Sequence, residues 1–478
     1  MAKRIYPPKG DIGCTDEVSS GAMSCGVAQA EIYFRPRTSY NGEFGFDWMR
    51  IGDWDWGRSL HAADNFLANK YDDNNMLAGG NGIAATATET AGQIAYRKLE
   101  DEYTKLPING KAEDYHFHWL SIFPKKLADT FNAEATSKGL HASARLEFSA
   151  TLDILIKIKD VADKPERIIF INGDAKNLDV VTSTGEVTDF NKGTALPTIS
   201  CASVTTNAKQ MFETITVTCK GELKHDTPII AYAVKGDSAT LAGVLMVCKN
   251  HSTQVCKRQN VLVPLVKTNL DGASLRDGNR VFNQGGHDHE KLIYQTLHHY
   301  LFYGEMQTDR TVIDLRNDIR FRLPASLTGP DATDPDAGIY CDATGIMPSG
   351  TDWDGIHYLY SLLPSNYTSN WDIVLFTFNE TWSGSFGSSG YSYLFTKIAI
   401  NFAEISATNH PGIGPHPGFV TTPAHEMGHS LGLEHTFDEP DAPYIFTTES
   451  DTDNVMSYSD RVPAMTWRWQ WKIVNKAL

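Results

Sequence analysis

Near the carboxyl end, three histidines, a glutamate and a glycine have the types and spacing to hold a metal and use it: His425-Glu-Met-Gly-His429-Ser-Leu-Gly432-Leu-Glu-His435. His425 and His429 stand four residues apart. On a helix they share one face, with Cβ atoms about 5–6 Å from each other. Both rings can then reach one tetrahedral ion at about 2.0–2.1 Å. Glu426, beside the first ligand, points partly the same way. A third ligand cannot come from the same straight helix. Gly432 can take positive φ, end the helix and turn the chain back, and His435 then returns to the metal. Three protein ligands leave one position open to water, the arrangement of a catalytic rather than a structural zinc site. Zinc lowers the pKa of such a water toward about 7. Glu426 would take the proton as general base and pass it to a departing amine, which is peptide hydrolysis. Chance produces a string fixing these five residues on the order of once in 10⁴ chains of this length, so a core helix with satisfied histidines ranks second.

Downstream stands Asn454-Val-Met456-Ser-Tyr458. Tyr458 is placed to hydrogen-bond the oxyanion of a tetrahedral intermediate, or to be an extra zinc ligand at rest. Together the two strings resemble the metzincin clan of zinc metallopeptidases, whose signature is this helix, this glycine, a third histidine and a Met-turn. The resemblance implies that Met456 is the Met-turn methionine, packed under the metal without binding it, and that Tyr458 matches a tyrosine several metzincin families place beside the zinc. Thr436-Phe437 looks most like the pappalysin-type branch. The resemblance covers roughly the last 190 residues, with motifs dense only from Thr422 onward. Two features depart from it: no cysteine lies between the third ligand and the Met-turn, and 22 residues follow Met456.

The elements that must position these residues can be read outward from the site. Thr421 or Thr422 suits the N-cap of the zinc helix, with Pro423 in its first turn. Residues 371–378 form a continuous apolar run expected of a buried strand. Residues 394–402 are a further strand; the resemblance places it at the sheet edge, pairing with extended substrate. Helices are expected at 288–306 and 354–363. His287, His289, His298 and His299 read as helix surface and preceding loop, with a second metal as the alternative. Asp331, Asp334 and Asp336 could bind Ca2+ through oxygen ligands, or form a solvated acidic loop, since no closing glutamate is present. His410 and His416 sit in a Pro/Gly loop that could rim the cleft. Trp467, Trp471 and Val474 lie three to four apart, as in a terminal helix packed on the Met-turn; a membrane-interface anchor is the alternative.

At 478 residues the chain exceeds one ordinary core. Its 41% hydrophobic and 21% charged content is that of a globular protein. The expected architecture is multidomain: a leader at 1–30, a β-rich N-terminal domain at 31–143, an immunoglobulin-like β-sandwich at 144–268 and an α/β (α+β) metzincin-like catalytic domain at 269–478. Short strand-like runs separated by turns carry the sandwich expectation, in architecture only, because the signature tryptophan is missing. His116 and His118 alternate with aromatics and read as sheet residues. The Trp-Asp-Trp at 54–56 reads as core tryptophans or a carbohydrate platform.

A net charge of −16 argues against nucleic acid or anionic membrane as partner, and no apolar run approaches the roughly 18–20 residues of a membrane span. The opening residues lack the apolar core of a secretory signal, so a cytoplasmic location or a signal-independent export route is expected. Weak likeness of the N-terminal region to leader modules of contact-dependent secretion effectors adds a secretion apparatus, an immunity protein or an inhibitor as partners beside a peptide substrate. Seven cysteines leave at least one unpaired. Cys248 with Cys256 and Cys201 with Cys219 are candidate disulfides, free thiols the alternative. Cys25 reads as a loop cysteine, paired with Cys14 or free, with a latency thiolate on the zinc as the alternative. Three functions follow: a zinc endopeptidase, a non-enzymatic adhesion or carrier protein with a degenerate peptidase fold, or a peptidase toxin delivered into rival cells.

Overall fold

The computed structural model describes residues 28–37, 39–40, 42–49, 77–107, 114–158, 162, 164–182, 186–188, 195–202, 209–236, 238–269, 275–278, 289–307, 312–340, 354–364, 371–378, 390–392, 398–402, 418–437, 441–446, 454–457 and 465–478. These form a mixed α/β structure with many strands and few helices.

Strands that alternate buried and exposed positions need a second layer to cover their apolar side. Leu178–Thr182 alternates strictly and Thr227–Lys235 nearly so. The cover comes from two sheets packed face to face. One has four strands, in the order Ala30–Pro36, Ser149–Ile158, Lys209–Cys219, Leu178–Thr182. The other has seven, in the order Glu186–Thr188, Ala195–Ser200, Arg167–Asn172, Thr227–Lys235, Ser238–Val247, His118–Ser121, Gly45–Asp47. Ile32, Phe34, Ile154 and Val217 of the first share one core with Phe170, Ile229, Ala231 and Leu245 of the second.

The boundary expected at 143/144 runs through both sheets. Ala30–Pro36 lies antiparallel to Ser149–Ile158, with Phe34 opposite Ile154. His118–Ser121 runs parallel to Ser238–Val247 and carries Gly45–Asp47 on its far side. The early strands fill positions beside the later ones because their apolar faces have no other partner. The boundary expected at 268/269 is displaced as well. Val261–Leu262 and Leu265–Thr268 leave the two-sheet body and enter another sheet, alongside Ile373–Phe378.

In that sheet Ile373–Phe378 is buried at every position, as a strand covered on both faces must be. Ile398–Phe402 follows in parallel, and Gly390–Ser392 pairs antiparallel with its outer side. The expected edge strand is therefore corrected: Ile398–Phe402 has a neighbour on each side, and the outer place falls to Gly390–Ser392. Met306–Gln307 and Val312–Asp314 extend the opposite side in parallel.

Six α-helices are described: α1 (Ala91–Glu102), α2 (Lys125–Lys138), α3 (His289–His299), α4 (Asp354–Ser361), α5 (Gly418–Ser430) and α6 (Arg468–Val474). α3 is buried nearly all round, His289, His298 and His299 included, which corrects their expected surface position. An all-round buried helix belongs between layers, and α3 packs against α5 with residues in the same core as Met427 and Trp467. Burial holds His298 and His299 neutral, pushing their pKa values down to about 3 and about 4. His299 has its Nδ1 2.9 Å from Thr466 Oγ1 and its Nε2 2.9 Å from the carbonyl of Gly42, so it is a tie between layers, not a ligand.

Cys201, Cys219, Cys248 and Cys256 are free and buried, which corrects both expected disulfides. Cys219 and Cys256 instead bond the side chain and the carbonyl of Asn250. Trp467, Trp469 and Trp471 are buried in the core with Met456, on the side expected of a helix packed on the Met-turn and not of a membrane anchor. Among the described residues no helix is long and apolar enough to cross a membrane. Residues 54–56, Cys14 and Cys25 lie outside the described residues.

Candidate metal centre

α5 begins at Gly418, earlier than the expected cap at Thr421 or Thr422, and Pro423 lies inside it. A proline there removes one intrahelical bond; the rest of the helix is held by packing, with Ala424 and Met427 in the core. His425, Glu426 and His429 are also buried. The helix ends as its glycine requires. Gly432 has φ of 95°, its N–H donates to the His429 carbonyl at 2.8 Å, and Leu433 N–H donates to the Gly428 carbonyl at 3.0 Å. This pair of bonds is the Schellman arrangement, open to a residue without Cβ strain at positive φ. It turns the chain so that His435 comes back over the helix.

The three Nε2 atoms form a near-equilateral triangle: 3.1 Å between His425 and His429, 3.0 Å between His429 and His435, 3.1 Å between His435 and His425. A tetrahedral ion with bonds of about 2.0–2.1 Å spaces its nitrogens about 3.3–3.4 Å apart, a few tenths wider. The other ring atoms fix what faces inward. His425 Nδ1 lies 2.9 Å from the carbonyl of Val455, and His429 Nδ1 lies 2.6 Å from the carbonyl of Leu433. A carbonyl only accepts, so each Nδ1 carries the hydrogen and each Nε2 presents a lone pair. Lone pairs about 3 Å apart repel unless a cation lies among them. Of the described residues, these three histidines are the one group of side chains converging as metal ligands. Imidazole donors suit zinc, copper, iron and nickel alike.

Phe437 stacks on the His435 ring, with centroids 5.1 Å apart and planes 27° from parallel. Met456 is fully buried. A Cβ added to Gly428 would lie 2.4 Å from its sulfur, so Gly428 is the floor on which that methionine rests. The turn carrying Met456 is held from two sides. Asn454 Oδ1 accepts from Met456 N–H at 2.8 Å. Its amide pairs with that of Gln470, Nδ2 to Oε1 at 2.8 Å and Gln470 Nε2 to Oδ1 at 3.0 Å.

The sequence reading assigns no role to Gly428, Asn454 or Gln470. A glycine inside a helix costs about 1 kcal/mol against alanine, so Gly428 between two candidate ligands was a usable signal for close approach. Nothing comparable marks Gln470. Tyr458, His410 and His416 lie outside the described residues. Asp331, Asp334 and Asp336 are exposed and do not converge. Asp334 Oδ1 accepts from Asp336 N–H at 2.9 Å, a local turn contact, so the calcium reading finds no site here.

Compared with protein-family models, curated proteins and solved structures, the chain has no match.

Proposed function

We propose that this protein is a zinc-dependent endopeptidase, with a metzincin-like catalytic unit joined to an immunoglobulin-like β-sandwich. The observation that carries the reading is the triangle of inward-facing Nε2 lone pairs, two of them fixed by Nδ1–H bonds to backbone carbonyls. Three imidazoles on a short helix and its turn leave room for a fourth ligand, which is the donor set of a catalytic zinc site. A zinc ion held there supplies Lewis acidity to a peptide carbonyl and to a water. Glu426, buried on the same helix beside His425, acts as general base: it takes the proton of the attacking water and returns it to the leaving amine. Tyr458, two residues beyond Met456, donates a hydrogen bond to the oxyanion.

Substrate binding is assigned to the sheet's outer strand. Gly390–Ser392 pairs on one side only among the described residues, and its other side offers main-chain groups to an extended peptide.

The reading is tested on purified full-length protein. Stoichiometric zinc by elemental analysis, with chelator-sensitive digestion of casein or gelatin that Glu426→Ala abolishes, supports it. A protein that takes up no zinc, or that digests equally well with Glu426→Ala, refutes it.

A further inference from the structure

The metal centre is not built by the C-terminal part of the chain alone. The strand Leu77–Gly79 pairs antiparallel with Ile445–Phe446, inside the loop that leads from the third histidine to the Met456 turn. Next to it, Asn81 N–H donates to the Ala442 carbonyl at 2.8 Å. The approach is too close for side chains. A Cβ on Gly80 would lie 2.1 Å from the Pro443 carbonyl oxygen, and one on Gly92 2.0 Å from that of Leu77. α1 covers this pairing. Its N-terminus is closed by a Thr90–Gln93 capping box, and Ala95 and Leu99 are buried. Tyr444 Oη donates to the Lys98 carbonyl at 3.1 Å.

Two routes lead from this segment to the ligands. In the first, Phe446 N–H donates to the carbonyl of Thr436, the residue after His435, at 2.7 Å. In the second, the end of α1 grips α6. Asp47 Oδ2 accepts from both Tyr103 Oη, at 2.5 Å, and Arg468 N–H, at 2.7 Å. Arg468 Nη1 donates to the Glu102 carbonyl at 2.6 Å, and Lys472 pairs with the Glu102 carboxylate. α6 carries Gln470, whose amide holds Asn454, and the next residue, Val455, orients His425.

We infer that residues 77–103 are a positioning element of the metal centre, holding His435 in place through the 441–446 segment and His425 through α6. The inference rests on the metal-binding reading above but concerns different residues. Outer partners that orient ligands typically set about 10–100-fold in metal affinity.

The test uses the full-length chain, zinc-loaded and titrated against a chelating indicator, and the cobalt-substituted protein by visible absorption. Gly80→Ala, which drives residue 80 away from Pro443, is expected to weaken zinc binding by about 10-fold or more and to change the cobalt ligand-field bands at saturating metal. Tyr444→Phe, which removes one bond, is expected to weaken it by about 3-fold, within the energy of one hydrogen bond. Ala78→Ser, on the exposed side of the strand, leaves both unchanged. A general loss of stability would not alter the spectrum of a saturated site. If Gly80→Ala does not fold, Tyr444→Phe decides. Wild-type affinity and spectrum in the folded variants overturn the inference and leave the metal centre standing. A wild-type chain that binds neither metal overturns both.

Discussion

Two buried polar clusters in this molecule have similar parts and opposite logic. In the two-sheet body, Arg35 Nη1, His118 and Tyr115 form a directed chain of hydrogen bonds, with Arg35 Nε outside it. Arg35 Nη1 lies 2.9 Å from His118 Nε2, His118 Nδ1 lies 3.0 Å from Tyr115 Oη, and Tyr115 Oη donates to the Ile32 carbonyl at 2.6 Å. Arginine can only donate, so the direction of the whole chain is fixed and it ends on a carbonyl. At the other cluster, His425 and His429 also spend their Nδ1–H on carbonyls, but their Nε2 lone pairs face each other and His435 Nε2. In the first cluster both ring nitrogens of the histidine find protein partners. The second leaves inward lone pairs on His425 and His429, a donor set suited to a cation. Burial of histidine is thus no guide to function; the direction of the hydrogen bonds is.

The largest expected effect separates chemistry from metal binding within the second cluster. Glu426→Ala should retain stoichiometric zinc and lose at least about 10³-fold in turnover, at the upper range for a general base. Measuring kcat and bound zinc on the same preparation checks it. Tyr458→Phe should cost less, roughly 10²-fold in kcat. A variant lacking Glu426 that turns over normally would break the assignment of roles.

Next in size is the response to metal itself. Zinc at about 1,000 times its Kd should stabilise the folded chain by about 4 kcal/mol. That increment should vanish on chelation and in His429→Ala. Thermal melts with and without zinc read it directly. An equal increment in His429→Ala would mean that zinc binds elsewhere and that the triangle is not the site.

Acid should act on a third set of rings, which neither bind metal nor join the Arg35 chain. His298 and His299 stay neutral in the folded protein down to about 3 and about 4, while in the unfolded chain they take protons near pH 6.5. Between these limits the unfolded state binds more protons, so unfolding free energy falls as pH drops below about 6.5. At pH 5.5 the loss should be on the order of 1 kcal/mol per ring. Urea unfolding of metal-free protein at pH 7.0 and 5.5 measures it, and His299→Gln should flatten the slope.

How much of this was legible in the sequence follows the range of each interaction. The histidine triangle depends on a helix period and a glycine within the span 425–435, all local, and His425, His429, Gly432 and His435 could be read from spacing. The sheets depend on partners far apart: Phe34 meets Ile154 and Leu77 meets Phe446, and alternation shows that a strand has an inward face without saying against what. That is why alternation alone does not show strands pairing across positions 143 and 268. The same limit explains the edge strand. Gly390–Ser392 lies in a Gly/Ser-rich stretch that composition marks as loop, and it becomes a strand only through Ile398–Phe402. α3 reads as one-sided because histidine and glutamine count as polar, yet neither carries a fixed charge and both are buried here.

The effect confined to the two-sheet body is the one that best isolates the first cluster. Arg35 is fully buried, its guanidinium 4.6 Å from the Trp48 ring, and Asp153, also buried, stands opposite it in the sheet register. Arg35→Met removes a buried cation, a gain in desolvation, but leaves the His118 lone pair and the Phe34 carbonyl without that donor. Orphaning buried acceptors outweighs the gain when only one partner is removed, so the net cost should be about 1–3 kcal/mol, read by urea unfolding. Zinc content, and the size of the zinc-dependent increment, should not change, because the chain of bonds from Arg35 ends at Ile32 within the same sheets. Were Arg35→Met to empty the metal centre, the two clusters would be parts of one network, and the contrast between a closed chain and an open triangle would no longer sort structure from function.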